Sequence, residues 1–158
     1  MAEYIEAPNE DRWRSLFLAG GITDTVDWQS VVYQFLQDLD IVILNPRRSS
    51  FDLSKREESV RQIEWEYRQL RKSDECLFYF PETSICPITL FELGSQLGMA
   101  GKRIFVGTHP EYSRRMDIEI QTSLIRPEIK VASGLSELID QVRQYYESQA
   151  WITKQRAT

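Results

Sequence analysis

Hydrophobic positions along the chain fall into two alternating kinds of pattern. Short runs are rich in β-forming residues: Ser15–Gly20, Ile41–Leu44, Cys76–Phe80, then Arg103–Gly107 and Glu128–Val131. The first three show no polar alternation, which marks strands covered on both faces. Each is stopped by a breaker: the Gly20-Gly21 pair, Asn45-Pro46 and Pro81. Between the runs the spacing becomes helical. Trp28, Val31, Val32, Phe35, Leu36 and Leu39 form one stripe, with Asp24 or Thr25 as the expected cap. Val60, Ile63, Tyr67 and Leu70 form a second, and Leu135, Leu138, Ile139, Val142, Tyr145 and Tyr146 a third.

Strand and helix in alternation predict an α/β fold. The expectation is a doubly wound, flavodoxin- or Rossmann-like sheet of about five mainly parallel strands in three layers, α/β/α. The length of 158 residues fits one domain, with residues 1–14 as an arm or edge element and 151–158 as a frayed tail. Ligands of open α/β sheets collect beyond the carboxyl ends of the strands. That directs attention to Gly20–Asp27, Asn45–Phe51, Pro81–Pro87 and Thr108–Arg115.

Composition narrows the chemistry. A net charge of -5 argues against a protein that tracks nucleic-acid backbone. Cys76 and Cys86 supply neither a disulfide framework nor a four-ligand zinc site, and His109 is the only histidine. No metal or cofactor is therefore expected. The N-terminus lacks a signal-peptide pattern and no window matches a membrane span, so the expected location is the cytoplasm.

The segment Cys86-Pro87-Ile88-Thr89-Leu90-Phe91-Glu92-Leu93-Gly94 opens a helix at Pro87 that is apolar nearly all round and so expected to be buried. A carboxylate there, Glu92, has either a structural partner or a catalytic task. The helix around Ser59–Tyr67 offers another acid, and Glu64 and Glu66 flank its apolar stripe equally well. Trp65 points away from that stripe, as an interface anchor or as a lone exposed tryptophan. Gly20 and Gly21 stand where backbone would approach a ligand closely. Arg47-Arg48 and Arg114-Arg115 are either phosphate partners or solvated surface, and His109 a polar loop residue at a strand end. No dinucleotide fingerprint, phosphate loop or serine elbow is present.

Several segments in order then resemble one family: Phe17–Ile22, Asp27-Trp28-Gln29, Asn45-Pro46-Arg47, Gln62-Ile63-x-Trp65-Glu66, Ser73-Asp74, and Pro87-Ile88-x-Leu90-x-Glu92-Leu93-Gly94, followed by the Arg114-Arg115 loop. Together they resemble the nucleoside 2-deoxyribosyltransferase-like family, whose wider superfamily includes N-glycosidases acting on deoxynucleoside monophosphates. The resemblance implies that Glu92 is the nucleophile, forming a covalent glycosyl intermediate. It implies that Glu66 assists the leaving base, which separates it from Glu64. The two carboxyls would lie on the order of 5 Å apart, and their repulsion would raise one pKa.

The implied pocket is lined from Gly20, Gly21, Asp24, Trp28, Asn45, Arg47, Gln62, Asp74, Cys86 and His109. Cys86 departs from the family pattern, standing six residues before Glu92 where relatives carry an Asp or Ser that grips the sugar 5′ group. A thiol is a poor hydrogen-bonding substitute. Asp117 stands where an asparagine would be expected.

Three activities follow as expectations. The first is cleavage or transfer at the N-glycosidic bond of a (deoxy)nucleoside or nucleotide. The others are a non-catalytic nucleotide-sensing module and an NAD-type glycohydrolase. The expected partners are the small substrate and an acceptor base, with no polymeric nucleic acid and no membrane. Trp65 and the family resemblance both point to a homo-oligomer, a dimer or higher.

Overall fold

The computed structural model describes residues 3–5, 14–48 and 56–156 of the chain. The sheet has six parallel strands: β1 (Glu3–Ile5), β2 (Ser15–Gly20), β3 (Val42–Leu44), β4 (Glu75–Phe80), β5 (Arg103–Thr108) and β6 (Ala132–Ser133). Five helices connect them: α1 (Trp28–Leu36), α2 (Arg56–Lys72), α3 (Pro87–Leu97), α4 (Arg115–Ile125) and α5 (Leu135–Arg156). The spatial order is β1-β3-β2-β4-β5-β6. From β2 the chain steps outward to β3, then returns across β2 to β4, so the winding direction reverses between β2 and β4. Such a reversal opens a crevice at the carboxyl ends of the two strands.

Alternate residues of each strand enter different cores. Leu16, Leu18, Ile43, Leu77, Tyr79 and Phe105 pack with α1 and α5, through Trp28, Val32, Leu36, Leu138, Val142 and Tyr146. Phe17, Ala19, Val42, Leu44, Cys76, Phe78, Phe80, Ile104 and Val106 pack with α2, α3 and α4, through Trp65, Leu70, Leu93, Leu97 and Ile118. This is the three-layer, doubly wound architecture expected, with one added edge strand. The added strand, β1, pairs with β3 from within the N-terminal segment; the rest of the arm, 1–2 and 6–13, lies outside the described residues.

Several boundaries and faces differ from expectation. The last strand is Ala132–Ser133, not Glu128–Val131, because Ile129 N–H closes a turn on the Arg126 carbonyl and pairing with β5 begins only at Ala132. Helix α1 is capped by Asp27, which accepts from Ser30 N–H, rather than by Asp24 or Thr25. Helix α5 runs on to Arg156.

Helix α2 is turned over. Gln62, Trp65 and Leu70 are buried, while Val60, Ile63 and Tyr67 are exposed. Trp65 is thus no exposed anchor: it is 8% exposed and packs its ring 6.1 Å from that of Phe17. Helix α3 is likewise buried on one side only, through Thr89, Leu93, Gln96 and Leu97, with Ile88 and Phe91 outside. No described helix is long and apolar enough to cross a membrane.

The opposite end of the sheet carries a buried polar network. Glu75, at the start of β4, is 2% exposed. It pairs with Arg14 at 2.9 Å and accepts from the hydroxyls of Tyr146 at 2.6 Å and Tyr145 at 3.2 Å. These contacts tie α5 and the lead-in to β2 onto the central strand.

Candidate active site

Two loops bound the crevice between β2 and β4. In the first, residues 21–27, the Gly21 carbonyl is a hub that accepts from Thr25 Oγ1 (2.8 Å), Trp28 Nε1 (3.0 Å) and Gln29 Nε2 (3.4 Å). In the second, residues 81–86, Cys86 N–H donates to Ser84 Oγ at 3.2 Å, and the Tyr112 hydroxyl donates to the Ile85 carbonyl at 2.7 Å. Asp24 and Cys86 are the two described non-glycine residues with positive φ, at 56° and 51°. Left-handed backbone at such residues is costly and concentrates at functional sites. Here one falls on each wall of the crevice.

The glycine pair answers to close packing within the protein. A Cβ on Gly20 would lie 2.4 Å from the Trp28 ring and 2.5 Å from the Tyr79 carbonyl. On Gly21 it would lie 2.8 Å from Cys86 Sγ and 2.9 Å from Thr25 Cγ2. The missing side chains make room for the protein's own packing, and Cys86 closes directly over Gly21.

Helices α2 and α3 each carry one acid, Glu66 and Glu92, close enough for the charge of one to act on the other. Glu66 and Glu92 are both partly buried, and Glu92 is pushed up to about 7, first by burial and then by the charge of Glu66. Burial also raises Glu66, outweighing the Gln62 amide and the Arg48 guanidinium, which pull it down. Gln62 Nε2 donates to Glu66 Oε1 at 2.6 Å and to the Pro46 carbonyl at 3.0 Å. Glu64, the alternative acid, is exposed and pairs with Arg68 at 3.7 Å. Two desolvated carboxyls in each other's field titrate as a pair, and the pair holds one proton up to near neutrality. Chemically, such a pair can present one carboxylate and one protonated acid side by side.

The other expected pocket residues divide. Asn45 is buried beyond β3, where its Oδ1 accepts from Arg47 N–H at 2.9 Å. Trp28 lies under Gly20 in the core. Arg47 is engaged in holding the first loop, donating to Gln29 Oε1 (3.1 Å), Thr25 Oγ1 (3.0 Å) and the carbonyls of Thr25 and Val26. Arg114 and Arg115 pair within α4 with Asp117 and Glu119. Asp24 is exposed at the tip of its loop.

His109 sits at the end of β5, with Nδ1 accepting from Glu111 N–H at 3.2 Å. Its 3.6 Å separation from Glu82 is beyond a hydrogen bond. Asp74 does not join the site. It precedes β4 at the opposite end of the sheet, by the amino ends of the strands, and accepts from Ser15 N–H and Oγ. The Cys86 thiol is raised by burial, which keeps it protonated and a weak nucleophile at neutral pH.

Thr25, Gln29 and Tyr112 brace the two loops, a part that no sequence pattern assigned to any of them. Tyr112 stacks on Phe80 at 5.3 Å and is pushed up to about 12, mainly by burial. Only its place just past a strand end could have signalled it. Among the described residues no group of three His, Cys, Asp or Glu side chains could hold a metal ion.

The family model described as nucleoside 2-deoxyribosyltransferase like matches residues 13–112. No curated protein matches the chain at a significant level. The matched span runs from β2 past β5, covers both crevice loops and includes Glu66 and Glu92. It accounts for well over half of the sequence, and the chain belongs to the nucleoside 2-deoxyribosyltransferase-like family.

Proposed function

We propose that the protein cleaves or transfers at the N-glycosidic bond of a (deoxy)nucleoside or nucleotide by double displacement. Ionised Glu92 attacks the anomeric carbon, the bond to the base breaks, and the base leaves with the bonding pair and a proton from Glu66. The sugar remains as an ester of Glu92. Water or an acceptor base, giving its proton to Glu66, then attacks the same carbon and frees Glu92. The observation that carries this reading is the pair itself: two desolvated carboxyls, one on α2 and one on α3, with burial first and then the charge of Glu66 raising Glu92 to about 7.

The resting proton has a preferred seat. Glu66 has the Gln62 amide and Arg48 to favour its charge, whereas Glu92 has no hydrogen-bond donor among the described residues. The resting proton therefore sits on Glu92. A bound base reverses this, because a ring nitrogen offers its lone pair to a protonated Glu66. Positive charge developing on the sugar favours ionised Glu92 in the same step.

A mass-spectrometric screen of nucleosides, nucleotides and NAD, with and without an acceptor base, tests the assignment. Free base from nucleosides or nucleotides is expected, with a new nucleoside when an acceptor is supplied. Nicotinamide release alone would move the substrate class to dinucleotides. Tight nucleotide binding with no turnover would make the chain a sensing module.

The same reading includes self-association. Val60, Ile63 and Tyr67 on α2, Ile85 before α3, and Ile88 and Phe91 on α3 are all exposed, Phe91 by 78%. Large apolar side chains left exposed on two helices are the mark of an interaction surface. A second copy is the occupant proposed. Sedimentation at dimer mass or higher, lost on Phe91→Glu, is expected; a monomer at all concentrations would refute it.

A further inference from the structure

Gln62 is 9% exposed and lies one helical turn before Glu66 on the inner face of α2. Both hydrogens of its amide nitrogen are committed, one to the Pro46 carbonyl at 3.0 Å and one to Glu66 Oε1 at 2.6 Å. A backbone carbonyl can only accept, so turning the amide over would set two acceptors against each other. The carbonyl is itself held in place. Asn45 Oδ1 accepts from Arg47 N–H across Pro46, and the Arg47 guanidinium is fastened to Thr25, Val26 and Gln29.

This orientation leaves Gln62 Oε1 buried with no donor among the described residues. Methionine or leucine would fill the same space without an unpaired acceptor, so the amide is retained at a cost for what its nitrogen does. The charged groups that face Glu66 are Arg48, from the segment after β3, and Glu92, from α3.

Resting on the roles given above to Glu66 and Glu92, we propose that Gln62 is a positioning residue. It reserves Oε1 of Glu66 as an acceptor, confines the acid's proton to Oε2, and keeps resting Glu66 ionised until a base binds. Gln62 thus acts through Glu66 and not by touching the substrate. The loop that frames the pocket, through Arg47, Asn45 and Pro46, is thereby connected to the protonation of the acid.

The test is a 13C carboxyl titration of Glu66 in the full-length protein without substrate. It is made in a Glu92→Gln background so that Glu66 titrates alone. Adding Gln62→Met is expected to raise the Glu66 midpoint by about one pH unit, a tenfold gain in proton affinity. With Glu92 intact, the alkaline limb of kcat/KM should move upward with it. A folded Gln62→Met protein whose Glu66 titrates unchanged would overturn the proposal.

If Gln62→Met does not fold, Gln62→Glu serves instead. An acid at position 62 should share a proton with Glu66 and raise its midpoint, and an unmoved midpoint again overturns the role. Because the titration needs no turnover, a failed activity screen would refute the reaction without deciding this point.

Discussion

Replacing Glu92 by glutamine should stabilise the protein at alkaline pH and change little at acid pH. The buried carboxyl holds its proton to about 7, against 4.5 when free. A carboxyl with a raised native pKa contributes its stability below the unfolded value, and that contribution is lost as pH rises toward the native value. The gap between 4.5 and about 7, at about 1.4 kcal/mol per pH unit, gives a ceiling of about 3.5 kcal/mol at pH 8.5. Glu92 is partly exposed, and water relaxes part of the penalty, so a gain of about 1–3 kcal/mol is expected there.

Urea denaturation of wild type and Glu92→Gln at pH 5.0 and 8.5, at matched protein concentration, measures it. The variant should be near wild type at pH 5.0 and clearly more stable at 8.5. Equal differences at both pH values, or a wild type that is more stable at 8.5, would refute the argument that burial and Glu66 raise this group. Adding Glu66→Gln to form a double-mutant cycle isolates the charge repulsion from the burial.

Other consequences concern different parts of the chain. The productive pair holds one proton, so kcat/KM should fall above about pH 7, where Glu92 loses its proton beside ionised Glu66; a pH–rate profile flat to pH 9 would contradict this. Tyr146→Phe removes a 2.6 Å donor from buried Glu75 and should cost about 1–3 kcal/mol in urea midpoint measurements. It should leave turnover intact, because the network lies at the far end of the sheet. Gly20→Ala sets a Cβ 2.5 Å from the Tyr79 carbonyl and 2.4 Å from the Trp28 ring. Since backbone cannot yield cheaply, a loss of about 3 kcal/mol or a failure to fold is expected, read by thermal melting.

The central strands were legible because burial on both faces leaves runs such as Leu16–Ala19 with no polar residue to misread. Helix α2 was not, and the reason is physical. Its inner face carries Gln62 and Glu66, which hydrogen-bond to each other, while its outer face carries Val60, Ile63 and Tyr67. A rule that turns apolar residues inward therefore inverts the helix and sets Trp65 in water. Helix α4 hides for the same reason: Ile118 and Thr122 are its buried residues, and Met116, Ile120 and Leu124 face out.

Within the site, Glu92 was readable as an acid on an apolar helix, whereas Glu66 and Glu64 were equivalent until the family resemblance separated them. Hydrogen bonds between distant segments, such as Arg47 to Thr25 and Tyr112 to Ile85, leave no periodic trace. The packing of Trp28 and Cys86 against the glycine pair likewise leaves no mark in the spacing of the sequence.

The central claim is a covalent bond between Glu92 and the sugar. Incubation with a 2-fluoro nucleoside analogue, followed by intact-mass and peptide mass spectrometry, tests it most directly. The account predicts a single added fluoro-sugar on the peptide containing Glu92, formed in step with release of free base and absent in Glu92→Gln. Steady turnover of the natural substrate with no adduct, or an adduct on any other residue, would contradict it.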